Sequence, residues 1–423
     1  MRTTGIPLCG FPHKLGYHHP FPEGGQVMDK LKITRLRGLY ERTLFDDVVP
    51  FWMEHSPDRE YGGYLTLLGR DGIPYGTDKF MWPQAREVWF FSTLCHTVEN
   101  RKEWRDMAKL GWDFIVKHAF HESGRAYFSF QRDGTPLSMP RKIFSETFII
   151  IAAIRYSLVT GDKEAARIAR KLYGMIVEMI QTPLAGSQKA IPGARPMIDH
   201  AIPMILLNVT REMTYLDGET DEERKVVDWC LDRVLSKHIH PERKLLFEQV
   251  APDGALMLDI PEGRLVLPGH AIESAWFLMH EGMARDDREI IRKACDLTIW
   301  MLEYGWDTEY GGLFYFLDSE GKPPTPLEWD MKLWWCHNEA LYATLLAHHL
   351  TSDSLYETWY DRIHEYAFSH HPDPMYGEWF GYLHRDGTVS HQFKGSAWKG
   401  CFHLPRQLLY CWQLLKEMEK EKK

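Results

Sequence analysis

A recurring segment constrains this chain more than any other feature. DREYGGYLTLLGRDG from Asp58, DTEYGGLFYFLDSEG from Asp307 and DPMYGEWFGYLHRDG from Asp373 share one pattern. Each reads as a turn, an aromatic strand and a second turn at D-G or E-G, which signals a hairpin. HESGRAYFSFQRDG from His121 is a weaker copy, ERKLLFEQVAPDG from Glu242 is weaker still, and LAGSQKAIPG from Leu184 is degenerate. The starts step by roughly 55 to 65 residues, so the 423-residue chain holds about six units.

Helical stretches fill the intervals. After each hairpin comes an apolar segment with few charges, at 83–96, 143–158, 198–213, 269–282, 335–350 and 404–415. Before the next hairpin comes a more amphipathic one, as at 103–118, 164–180 and 222–237. A helix apolar all round is buried, whereas an amphipathic helix lies on a surface. Six buried helices alternating with six amphipathic ones predict an all-α fold, an (α/α)6 barrel with short β-hairpins between repeats. An open α-solenoid of six hairpins has the same local pattern. Residues 1–29, rich in Gly, Pro and His and without an apolar run, are expected to form an irregular arm. A single barrel domain is expected over 30–423.

The balance of 50 basic and 59 acidic residues, a formal charge of −9, argues against nucleic acid and anionic membranes as partners. Mean hydropathy is −0.37 and no run of about 18 uncharged apolar residues occurs, so no transmembrane helix is expected. The seven cysteines, Cys9, Cys95, Cys230, Cys295, Cys336, Cys401 and Cys411, are odd in number, widely spaced and free of C-x-x-C. That usage fits reduced, buried thiols in the cytoplasm. The 16 Trp, 19 Tyr and 21 Phe either fill core or line a sugar cleft, and composition does not choose between the two.

If the inner helices run parallel, their first turns meet at one end of the barrel. The starts offer Arg86; Ser145 and Glu146; Asp199 and His200; His270 and Glu273; Trp334, Trp335, His337 and Glu339; then His403 and Arg406. Singly, each is an ordinary cap or ion-pair partner. Six such positions at one end point to a catalytic pocket. A helix N-terminus disfavours the imidazolium, and a neutral imidazole is what a general base needs. His270 and Glu273 have the i,i+3 spacing of metal ligands, but no H-E-x-x-H accompanies them, so no metal is expected. Phosphate-binding, dinucleotide and nucleophile-elbow motifs are absent. Paired acids beside aromatics would also suit a glycosidase.

Four stretches carry a resemblance: FWMEHSPDREYGGY, PGHAIESAWFL, LEWDMKLWWCHNEA, and DPMYGEWFGYL followed by KGSAWKGCFHLPR. Through them the chain after about residue 35 resembles the N-acylglucosamine 2-epimerase (renin-binding protein) family. The resemblance implies an (α/α)6 barrel and reversible epimerisation of a sugar at C2. It implies that Arg86, His270, Glu273, Glu339 and His403 match the family's active-site positions, and that Trp334 matches an aromatic lining the sugar site. His200 falls where cellobiose epimerases and aldose–ketose isomerases of the superfamily place a histidine, and Arg406 joins the expected substrate contacts. No cofactor is implied for the chemistry, although ATP activates some members without reacting. The expected partner is a small sugar, with a homodimer as a possible assembly.

Three functions follow. The first is interconversion of N-acetylglucosamine and N-acetylmannosamine through an enediolate, with His270 and His403 as the acid/base pair, Arg86 on the oxyanion, and Glu273 and Glu339 orienting the histidines. The second is an aldose–ketose isomerase, or a 2-epimerase of unsubstituted sugars such as mannose or cellobiose. The third is a non-catalytic protein-binding scaffold, against which the retained ionisable set argues.

Overall fold

The computed structural model describes residues 28–140, 142–180 and 195–421. The degenerate copy from Leu184, and the expected arm except Met28 and Asp29, lie outside the described residues. In chain order, α1 (Lys30–Arg42) runs into α2 (Val49–His55) through a π-helical stretch, Thr43–Val48. Then come α3 (Met81–Thr97), α4 (Lys102–His118), α5 (Phe144–Thr160), α6 (Lys163–Ile180), α7 (Ala201–Asp217) and α8 (Asp221–Asp232), the last extended by π-helical Arg233–His238. A one-turn α9 (Pro261–Arg264) precedes α10 (Pro268–Arg285), α11 (Arg288–Gly305), α12 (Trp334–Thr351), α13 (Ser354–His370) and α14 (His403–Glu421).

The burial pattern sorts these helices into two layers. In α5, every residue from Ser145 to Tyr156 is buried, and in α12 every residue from Trp334 to His348. With α3, α7, α10 and α14 they form the inner layer. In α6 burial falls on Ala165, Ile168, Ala169, Leu172, Tyr173 and Ile176, one stripe of an outer helix. No helix of the described residues is long and apolar enough to cross a membrane.

The ring is closed, so the open solenoid is set aside. The last inner helix meets the first through Gln413 Nε2, which donates to Thr97 Oγ1 at 3.3 Å, and through the Phe402 and Trp89 rings, 5.3 Å apart. Its outer cover is the first outer segment, where Phe45 packs edge-on against Trp412 at 5.2 Å. The chain is therefore an (α/α)6 barrel.

The short hairpins expected between repeats are present, and a second set of strand pairs adds to them. This second set joins neighbouring units, through two-residue strands just before the inner helices. β1 (Lys79–Phe80) pairs with β2 (Ser129–Phe130), which also pairs with β3 (Pro136–Ser138). β4 (Ile198–Asp199) pairs with β7 (Gln249–Val250), β8 (Leu265–Val266) with β9 (Leu317–Asp318), and β10 (Lys332–Leu333) with β11 (Tyr382–Leu383). The hairpins themselves keep β2 on β3, β5 (Ile239–His240) on β6 (Leu245–Leu246) and single bridges such as Pro57–Tyr64, Leu68–Pro74 and Trp306–Leu313. The backbone N–H of Lys394 donates to Leu68 O at 3.0 Å and continues the ring from the last unit to the first.

The aspartate that opens each clear repeat explains why the repeat is legible. Asp58 accepts from Lys79 of its own unit at 2.8 Å and from Arg132 of the next at 3.0 Å. Asp307 does the same with Lys332 at 3.0 Å and Arg385 at 2.8 Å. Asp373 pairs with Lys394 at 3.0 Å and with Arg70 of the first unit at 2.8 Å, across the seam. Lys79, Lys332 and Lys394 are fully buried. The glycine five residues on, Gly63 or Gly312, has φ +68° or +74°, and a Cβ on Gly63 would lie 2.5 Å from Gln84 Oε1. The third copy has Glu378 there, at φ 55°, a conformation that costs a non-glycine about 1–2 kcal/mol. Its carboxylate accepts from Trp52 Nε1 at 2.7 Å, Lys399 Nζ at 2.7 Å and its neighbour's N–H at 2.8 Å.

Candidate active site

Not every polar group at an inner helix start faces the funnel. Gln84 accepts from the N–H of Tyr64 at 2.8 Å, Glu146 from that of Ala126 at 3.0 Å, and His337 Nε2 from that of Leu313 at 3.0 Å. These three backbone groups are equivalent bridge positions of three hairpins. Glu146 also holds Arg125 at 2.5 Å, and His337 Nδ1 donates to Leu333 O at 2.8 Å. Glu146 and His337 therefore fasten hairpins to helices and lie apart from the site. Ser145 is buried, and Asp199 pairs with Lys142 and accepts from the N–H of Ala201 at 3.0 Å.

The others converge. Glu339 Oε1 accepts from His403 Nδ1 and from Arg406, each at 2.7 Å, while its Oε2 accepts from Trp276 Nε1 at 2.8 Å and from Gln407. The same Arg406 nitrogen donates to Glu273 at 2.7 Å. His270 Nδ1 lies 3.2 and 3.3 Å from the two oxygens of Glu248. His200 Nδ1 lies 3.5 Å from that carboxylate, and its Nε2 is 2.8 Å from Ser274 Oγ. The Trp335 ring is 5.4 Å from that of His270 and 5.5 Å from that of His403, so one indole packs against both imidazoles. The Arg86 guanidinium lies over the rings of Phe148 at 4.0 Å, Phe402 at 4.5 Å and Trp82 at 5.3 Å, and has no ion pair among the described residues.

A carboxylate on Nδ1 of each histidine takes a donated proton there and leaves Nε2 as the second site. The two rings are then tuned apart. Burial disfavours charge on His270, but Glu248, Glu273 and Asp199 hold it above its ordinary value. Burial and the neighbouring Arg86 push His403 well below, despite Glu339 at 2.7 Å, because that carboxylate is shared with Arg406. Burial raises Glu339 against the pull of Arg406, and burial lowers Arg86 to about 9.

Two residues expected to touch substrate, His200 and Arg406, are buried. His200 has no exposed surface, and Arg406 is 3% exposed, with one guanidinium nitrogen donating to two carboxylates. Trp334 is 3% exposed as well, its ring 6.3 Å from that of His403 and 5.2 Å from Tyr382. His270 and Glu273 do not converge on one ligand, since one turns to Glu248 and the other to Arg406. Donor atoms do lie within 4.8 Å of one another in His200–Glu248–His270 and in Glu273–Glu339–His403. In the second set Arg406 already supplies the positive charge between the carboxylates. In the first, two imidazoles direct Nδ1 at one carboxylate.

Sequence reasoning missed Glu248, Ser274, Trp276 and Gln407. Glu248 carried a usable signal. Six residues before the turn glycine, the other described copies have Thr66, Phe128, Tyr315 and Gly381. A charge at that position alone marks the fourth unit.

The profile of the N-acylglucosamine 2-epimerase (GlcNAc 2-epimerase) family matches residues 62–404. An N-acylglucosamine 2-epimerase of Bos taurus is 38% identical over 384 residues, which cover 88% of this chain and 90% of the relative. A cellobiose 2-epimerase of Bacteroides fragilis is 25% identical over 402 residues, 89% of this chain and 98% of the relative. Among solved structures, the cellobiose 2-epimerase of Bacillus thermoamylovorans B4167 shares the fold, with a TM-score of 0.78 at 19% identity over 91% of this chain and all of that one. The chain belongs to the N-acylglucosamine 2-epimerase family.

Proposed function

We propose that the chain interconverts N-acetylglucosamine and N-acetylmannosamine by moving the proton on C2. The observation that carries this reading is the pair of imidazoles from different repeats packed on the same Trp335 ring, each with a carboxylate on Nδ1. The near relatives named as N-acylglucosamine 2-epimerases support the N-acylated sugar over an unsubstituted one. In the open-chain sugar, the C1 carbonyl acidifies C2–H. One imidazole removes that proton, the electron pair passes to the carbonyl oxygen, and the other imidazole returns a proton to the opposite face.

Arg86 is a cation without an ion partner beside these groups, suited to the developing oxyanion. Glu339 orients His403, and Arg406 with Glu273 holds Glu339 in place. The reaction needs no metal or cofactor, because base, acid and oxyanion donor are all side chains. The six described cysteines are unpaired and buried, which supports a reducing, cytoplasmic setting.

The test is incubation with N-acetylglucosamine, N-acetylmannosamine or mannose in deuterium oxide, followed by NMR. Either N-acetylated sugar should yield the other with one deuterium at C2. A ketose as the product, or no reaction of either N-acetylated sugar, would overturn the reading.

A further inference from the structure

We propose that Glu248, held between His270 and His200, is a positioning residue that keeps a proton on His270 and so divides the two histidines into an acid and a base. This rests on the epimerase reading above. Glu248 is fixed from two units: its N–H donates to Leu265 O at 3.3 Å, and its carbonyl accepts from the N–H of His200 at 2.9 Å. Its carboxylate faces both imidazoles, and Ser274, one turn after His270 on α10, anchors the far nitrogen of His200.

Counting charge in the two halves of the site shows why the histidines differ. Around His403 stand Glu273 and Glu339, balanced by Arg86 and Arg406, with His270 also near. Two carboxylates against two guanidiniums are neutral with His403 unprotonated. Around His270 stand Glu248, His200, Glu273 and Asp199; Glu273 pairs with Arg406 and Asp199 with Lys142. Among the described residues Glu248 has no arginine or lysine partner, and an unbalanced buried carboxylate is costly. An imidazolium must balance it. His270, 3.2 and 3.3 Å from the two Glu248 oxygens and with a side chain 27% exposed, takes that role.

The resting enzyme then carries one proton on the pair. His403 Nε2 takes the C2 proton, His270 Nε2 gives its own to the opposite face, and exchange with water resets the pair. The reverse reaction starts from the same total of one proton. Both directions therefore share two pH limbs, an acid limb set by His403 and an alkaline limb set by His270.

In Glu248→Gln, kcat should fall about a hundredfold, the low end for a lost general acid, with KM changed less than about threefold. The alkaline limb should move down by about 1–3 pH units, as when an opposite charge is lost at this range, and the acid limb should stay. Glu248→Asp should recover part of the limb position. A merely structural role would lower activity and leave the limbs in place, and that result would overturn the proposal. So would movement of the acid limb instead. Histidine NMR titration of the unsubstituted protein needs neither sugar nor a folded variant: His270 should titrate above His403, and the reverse order would overturn the proposal. That order can hold even if neither sugar reacts, so the two readings fail separately.

Discussion

Replacing Asp373 by Asn tests the clasp that joins the last unit to the first. Asn keeps the shape and can still accept from the N–H of Met375, now at 3.1 Å, but it removes the charge facing Lys394 and Arg70. Arg70 is 31% exposed and can return to water. Lys394 is fully buried and cannot; burial already lowers it to about 8. Its remaining escape is to lose its proton. Because it already stands at about 8, doing so at pH 7 costs the fold only about 1.4 kcal/mol more, at about 1.4 kcal/mol per pH unit. Loss of the Asp373 carboxylate, which both cations stabilise, adds to this, and breaking a buried pair by removing one partner costs about 3–5 kcal/mol in all. Chemical unfolding followed by tryptophan fluorescence should show this loss. Amide exchange should rise at Lys394 and Gly395, which donate to Leu68 O at 3.0 and 3.2 Å. Asp373→Leu combined with Lys394→Met should recover most of the loss, because an apolar pair leaves no buried charge. Although burial opposes it, Arg70 and Lys394 hold the Asp373 carboxyl below its ordinary 3.8. The clasp is thus complete above that pH and is lost as pH falls further. A cost under about 1 kcal/mol, the scale of a surface pair, or a double variant no more stable than Asp373→Asn, would refute the reasoning.

Two further outcomes follow from the site. Arg86→Met should lower kcat about 10²–10³-fold, as for a lost oxyanion donor, and move the acid limb of the pH profile upward, since Arg86 is the charge that most depresses His403; a loss below tenfold would remove Arg86 from the oxyanion role. Dialysis against a strong chelator should leave turnover unchanged, and a lasting loss restored by one divalent metal would overturn the metal-free chemistry.

The helical layers were legible because burial all round leaves a mark in local composition. The apolar stretch at 335–350 became α12, Trp334–Thr351, and the one at 83–96 became α3, Met81–Thr97. The strand pairs between units were not, because their partners lie one unit away: an apolar Leu333 does not reveal that it faces Tyr382. His270, Glu273, Glu339, His403 and Arg86 were found because they sit at helix starts of one barrel end. Glu146 and His337 were grouped with them for the same reason, yet they differ by which face of the first turn they occupy, and that face reaches back to a hairpin. His200 and Arg406 lie at that same end and are buried, a depth that pattern does not report. Glu248 sits outside any helix start, in the weakest clear copy of the repeat, where only comparison across units exposes it.

The central claim, that His270 and His403 serve opposite faces of C2, is tested most directly by exchange in deuterium oxide with His270→Asn and His403→Asn. Net epimerisation should fall at least about a hundredfold in each. Each variant retains one imidazole, which can still exchange the C2 hydrogen of the epimer that presents it to that side, without inversion. One variant should therefore label N-acetylglucosamine and the other N-acetylmannosamine. Labelling of the same epimer by both, or near-normal epimerisation in both, would contradict the two-histidine account.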